Sequence, residues 1–174
     1  MEHLPQFNWP VTLLSGIIVP TVIGMIWYNP KVMGTVWAKS AGLSEKDTEG
    51  FSMAKAIILN TIASIFIAIT MNLIVIHQFS IGSILAGPED AKALADPNSP
   101  LSASVADFMS QHGHKFRTFR HGVLHGVMTA IFFVGPILAY GTIWERKGFK
   151  YWAINVGYWA ITLGLMGGII CQWT

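Results

Sequence analysis

Four long stretches without a single Asp, Glu, Lys or Arg divide this chain, at residues 11–28, 56–76, 121–144 and 151–171. A helix rising 1.5 Å per residue needs roughly 17–25 apolar residues to cross about 30 Å of hydrocarbon, and each stretch meets that length. A soluble protein with the same stretches as core helices needs other helices, charged on their outer faces, to cover them. The sequence offers none. The expectation is an all-α fold: one polytopic membrane domain over residues 1–174, built as a four-transmembrane-helix bundle.

Composition agrees with this. Of the residues 52% are hydrophobic and 11% charged, against roughly a quarter charged in soluble domains. A net charge of +2 without a long basic run argues against nucleic acid as a partner. The first span does not read as a cleavable signal, because no Lys or Arg precedes it and no small-x-small site follows. The single cysteine, Cys171, excludes an intramolecular disulfide and leaves the redox compartment open.

Between the spans, Asn29-Pro30 reads as a helix cap with proline in the first turn. The short helix it opens carries Val32, Met33, Val36 and Trp37 on one side and closes at Gly42, as an interfacial segment would. Ser44 and Asp47 form a capping box, so the second spanning helix is expected to begin in water near Glu45. The long connection, residues 79–120, should hold a surface helix near 100–112, opened by Ser99-Pro100. The polar segment before it, residues 87–98, is expected to be mobile. Basic residues near the span ends number seven on the side of the first and third connections and four on the other. By the positive-inside bias this puts both termini outside the cytoplasm.

The first and third spans close alike, Pro20 to Trp27 and Pro136 to Trp144. The second and fourth open alike, Lys55 to Asn60 and Lys150 to Asn155. This suggests two tandem two-helix repeats about an axis along the membrane normal. Small or polar residues recur at four-residue spacing in every span, as in Gly16, Pro20 and Gly24, or Gly122, Gly126 and Ala130, which suits close helix packing in lipid. Pro20 and Pro136 should kink their helices and free carbonyls for an asparagine or serine. Asn60 and Asn155, with Ser64 and Asn72, form a candidate polar site within the bundle, the two asparagines facing each other near the axis.

The topology puts all six histidines on one side. His121 and His125 are four apart and share a helix face. With His77 at the end of the second span, and Cys171 at the same level, they are candidate metal ligands or a pH-sensing group. A haem held between His77 and a histidine of the third span is a variant of the same reading. Lys115, Arg117 and Arg120 are candidate contacts to lipid headgroups. No nucleophile stands at a recognisable spacing from a base, no phosphate loop is present and no ionisable Asp, Glu, Lys or Arg lies within a span. Neither an enzyme nor a proton-coupled pump is expected.

Trp27-Tyr28-Asn29-Pro30 followed by Gly34 and Trp37, the run from Lys115 to Gly126, and Gly157-Tyr158 before a glycine-rich close together resemble one family over nearly the whole chain. It is the bacterial family of domain of unknown function 1761, small four-span membrane proteins. The resemblance implies a multi-pass protein of the bacterial cytoplasmic membrane and supplies no activity. The leading expectation is a non-enzymatic membrane component without a cofactor, surrounded by lipid and associating with copies of itself or with a membrane-protein partner. A small transporter or channel along the repeat axis, and a metal- or haem-binding protein, stand as alternatives.

Overall fold

Asn8 opens the first long helix, α1 (Trp9–Trp27), by accepting a hydrogen bond from the Val11 N–H. In this computed structural model, which describes residues 4–174 (the side chains of Glu45 and Thr48 excepted), every regular element is helical and no strand occurs among the described residues. Asn29 accepts from the Lys31 N–H and starts a π-helical turn, Pro30–Gly34, that runs into α2 (Thr35–Ala41). Gly42 ends α2 with φ of +75°, a left-handed conformation that glycine adopts without steric cost.

The capping box forms, with the Ser44 N–H donating to the Asp47 carboxylate at 2.7 Å. It does not begin the spanning helix. It caps a separate 3₁₀ turn, Glu45–Thr48, and the chain breaks at Gly50, φ +74°. Ser52 then caps α3 (Met53–Val75) afresh by accepting from the Lys55 N–H. The long connection carries α4 (Phe79–Ile84), α5 (Pro88–Ala95) and α6 (Pro100–His112). The last matches the expected surface helix. The polar segment before it, residues 87–98, carries α5, whose Leu94 is buried where α5 packs on α6.

Thr118 caps α7 (Phe119–Thr129), which continues through a π-helical turn, Ala130–Val134, into α8 (Gly135–Trp144). The turn lies directly before Pro136, whose missing N–H a regular helix would have left as a gap. The chain ends with α9 (Phe149–Trp173). Among the described residues four helices are long and apolar enough to span a membrane: α1, α3, the continuous α7–α8 and α9. Most of their outward residues are apolar, Leu14, Met25, Ile58, Phe66 and Phe132 among them, as contact with lipid favours.

α9 is the central helix. It packs on α1, α3, α7 and α8, and half of its most apolar stretch is buried against 22–28% in the other three. Glycines bring α7 onto it at backbone distance. A Cβ at Gly122 would stand 2.1 Å from the Gly167 carbonyl oxygen, and one at Gly126 2.0 Å from that of Leu163. Gly16 meets Ala68 and Ser64 of α3 in the same way. The four-residue stripes are therefore the seams between helices. The middle is filled by Met71, Leu163, Met166 and Ile170, each 2% exposed or less.

The carbonyls that Pro20 and Pro136 free are those four residues earlier, of Gly16 and Phe132. Aromatic side chains of α9 bond to the backbone near both prolines: the Tyr158 hydroxyl donates to the Pro20 carbonyl and the Trp152 indole to that of Gly135.

Candidate metal centre

Gly122 and Gly126 fix the rotation of α7. Because both must face α9, the residues immediately before them, His121 and His125, turn about 100° away, given 3.6 residues per turn. That direction faces the end of α3. The α3 helix stops at Val75, and His77 stands two residues on. The His77 and His121 Nε2 atoms approach to 2.9 Å. Ring centroids lie 4.9 Å apart for His77 and His125, and 4.4 Å for His121 and His125. One nitrogen from each of the three lies within 4.8 Å of the others.

The neighbouring loop is held by residues that spacing alone did not single out. Gln78 is buried and its amide donates to the carbonyls of Gly113 and Lys115 at 3.1 and 2.9 Å, binding the turn after α6 to the end of α3. Phe116 adopts φ of +63° and sets its ring 5.1 Å from that of His121. The Phe119 N–H donates to the Gln172 side chain on α9. A glutamine beside a span-end histidine was the available signal for Gln78. A left-handed phenylalanine leaves none.

Three neutral imidazoles, two on α7 and one in the turn after α3, are a donor set for a first-row divalent ion. Tetrahedral zinc, with Zn–N near 2.0–2.1 Å, holds its nitrogens roughly 3.4 Å apart. The observed separations bracket that spacing, so small side-chain rotations close the site. His77 is exposed and His121 and His125 are partly exposed, which leaves a fourth position open on the solvent side. The 2.9 Å between the His77 and His121 Nε2 atoms is shorter than the roughly 4 Å that separates two axial nitrogens on one haem iron.

Cys171 lies at the same rim but is turned away. It is buried, and its thiol is directed at the carbonyls of Phe116 and Val75, 3.2 and 3.5 Å distant. No Cys, Asp or Glu joins the three histidines among the described residues. His112 packs on Phe108 and His114 is exposed, both apart from the triad; His3 falls outside the described residues. Lys115 and Arg120 are exposed as headgroup contacts need. Arg117 is half-buried, with its Nε enclosed and unpartnered, and burial lowers the guanidinium pKa from its ordinary value.

Of the candidate polar site, Ser64 and Asn72 are buried and Asn60 is exposed. Asn72 donates to the Thr12 hydroxyl at 3.0 Å and to its own helix at the Ala68 carbonyl, a bond between α3 and α1. Asn60 and Asn155 do not meet. Asn155 accepts from the Tyr28 hydroxyl at 2.9 Å and donates to the Tyr151 carbonyl.

At the opposite rim the sequence Trp27 to Pro30 clasps α9. The Trp27 indole donates to the Ile154 carbonyl and its ring covers Gly157, where a Cβ would come within 3.1 Å. Tyr28 reaches Asn155 while Asn29 and Pro30 start the next turn, and Lys147 closes the same side by donating to the Ala41 carbonyl. These residues and the histidine run, the two segments most particular to the chain, thus anchor its opposite faces. No curated protein and no solved structure matches the chain. A family model described as "Protein of unknown function (DUF1761)" matches residues 11–171, and with its four membrane-spanning helices the chain belongs to that family of small membrane proteins.

Proposed function

We propose that this integral membrane protein binds one divalent transition-metal ion through His77, His121 and His125 at one rim of its helices. The observation that carries the reading is the convergence of three imidazole nitrogens within 4.8 Å, from helix ends held in place by the glycine seam and by Gln78. The reading is of a binding protein and not of an enzyme. It is supported by the sequence, in which no nucleophile stands at a recognisable spacing from a base. The bias of basic residues puts the triad on the outer side of a cytoplasmic membrane. Isothermal titration of the detergent-purified chain with Zn²⁺ tests the reading. It expects one site per chain, lost in His121→Ala; a folded wild type that retains no Zn²⁺ by metal analysis after dialysis would refute it.

Self-association is a second reading, favoured by Asn60. This side chain is exposed on α3, four residues and hence about 6 Å into the uncharged stretch that begins at residue 56, where hydrogen-bond partners from lipid are scarce. A second copy would supply one. Light scattering in detergent tests this, with Asn60→Leu expected to lower the oligomer mass and an unchanged mass counting against it.

A further inference from the structure

Directly beneath the triad, α3 and α7 part. An apolar groove of about 400 Å³ opens between them toward lipid, floored by Trp159 of α9 and walled by Thr70 and Ile74 on one side and Thr129, Phe133 and Ile137 on the other. It begins one turn below the histidines. Ile74 precedes His77 by three residues, and the Thr129 hydroxyl donates to the His125 carbonyl at 2.8 Å. At 1.5 Å per residue the α3 wall descends to about 15 Å below His77, half of the roughly 30 Å hydrocarbon core. The π-helical turn Ala130–Val134 sets Phe133 and Val134 into the far wall, and such turns recur where a helix has been shaped for a ligand.

We propose that this groove takes the hydrocarbon tail of a membrane-borne long-chain carboxylate, whose head occupies the fourth position of the ion on the triad. The inference rests on the metal reading above. Three neutral imidazoles leave a divalent ion with its full charge, and no protein carboxylate offsets it. Lys115 and Arg120 add exposed positive charge at the same rim, so the head that completes the site is an anion, and carboxylate oxygen is a normal zinc-type ligand. The walls lie within a spanning segment, where only molecules dissolved in the bilayer arrive. The volume falls at the small end of ligand pockets and suits one chain, not the two of a phospholipid.

The test uses Co²⁺-loaded protein in detergent, whose visible absorption reports the ion's fourth ligand. Palmitate should shift the band at concentrations at least tenfold below acetate, and palmitate methyl ester should not shift it. Thr70→Trp, which fills the groove, should keep the Co²⁺ band and reduce the advantage of palmitate to that of a chain merely concentrated in the micelle. Ile137→Trp, filling the other wall, should do the same and serves if Thr70→Trp does not fold. A Co²⁺ band that responds equally to palmitate in wild type and in both groove variants overturns the inference while the metal reading stands. Equal response to phosphatidic acid overturns the single-chain assignment. Failure of the folded protein to take up Co²⁺ removes the metal reading and this inference with it.

Discussion

Gly126 and Leu163 cross so closely that a Cβ on the glycine would stand 2.0 Å from the leucine carbonyl oxygen. No side-chain adjustment relieves a clash with backbone. The contact sets the distance between α7 and α9, and the rotation it imposes on α7 turns His125 toward α3. Gly126→Val should therefore both destabilise the fold, by about 1–3 kcal/mol or more as overpacking does, and weaken metal binding. Gly141, on the open face of α8 where a Cβ meets nothing closer than a Glu145 carboxylate oxygen at 3.6 Å, is the control. Gly141→Ala should stabilise by roughly 0.5–1 kcal/mol through helix propensity. Thermal melts in one detergent check both signs.

The buried bond from Asn72 to Thr12 joins α3 to α1. Hydrogen bonds between membrane helices average about 0.6 kcal/mol and reach about 1.7, so Asn72→Leu should lower stability by an amount in that range. A double-mutant cycle with Thr12→Val isolates the pairwise part. A coupling near zero would mean that the bond between the two side chains contributes nothing to joining the helices.

The ligands and their neighbour at the same rim should behave oppositely. Loss of a group that hydrogen-bonds a metal ligand costs the site about 10–100-fold, so deleting a ligand in His77→Ala should cost more than that. Cys171→Ser should leave the zinc affinity unchanged, because the thiol faces the Val75 and Phe116 carbonyls. Gln78→Leu should weaken binding without abolishing it, by freeing the turn after α6 from the end of α3.

Zinc needs neutral imidazoles, and protons compete for the same nitrogens. Affinity should therefore be full above neutral pH and fall as the solution is acidified toward about pH 5.5. The sign is that binding releases protons, which titrations in buffers of different ionisation enthalpy detect. A pH-independent affinity would point away from histidine ligation.

How much of this was legible beforehand divides along physical lines. Hydrocarbon imposes length and neutrality on whatever crosses it, so the four spanning helices stood out in the charge pattern. The cap residues gave α6 and the turn after Tyr28 for the same kind of local reason. The histidine pair was legible because four-residue spacing is a property of one helix. His77 as their partner depended on α3 and α7 being neighbours, which topology made reasonable.

What was not legible depended on rotation between helices. Cys171 shares the level of the triad, yet the orientation of α9 aims it at backbone. Asn60 and Asn155 occupy matching places in sequence, while packing leaves one facing outward and gives the other to Tyr28. The polar residue that does join two helices, Asn72, stands in the same stripe as Asn60, three turns along it. Stripe position alone does not separate the two, because the choice is made by the close approach of Gly16 to Ser64 and Ala68.

X-ray absorption at the zinc K-edge of the loaded, detergent-purified protein tests the central claim most directly, since it reads the ligands themselves. The account predicts a first shell of nitrogen and oxygen alone near 2.0–2.1 Å, with outer-shell scattering from three imidazoles. A sulfur scatterer near 2.3 Å, or a spectrum unchanged in the His77→Ala/His121→Ala/His125→Ala variant, would contradict it.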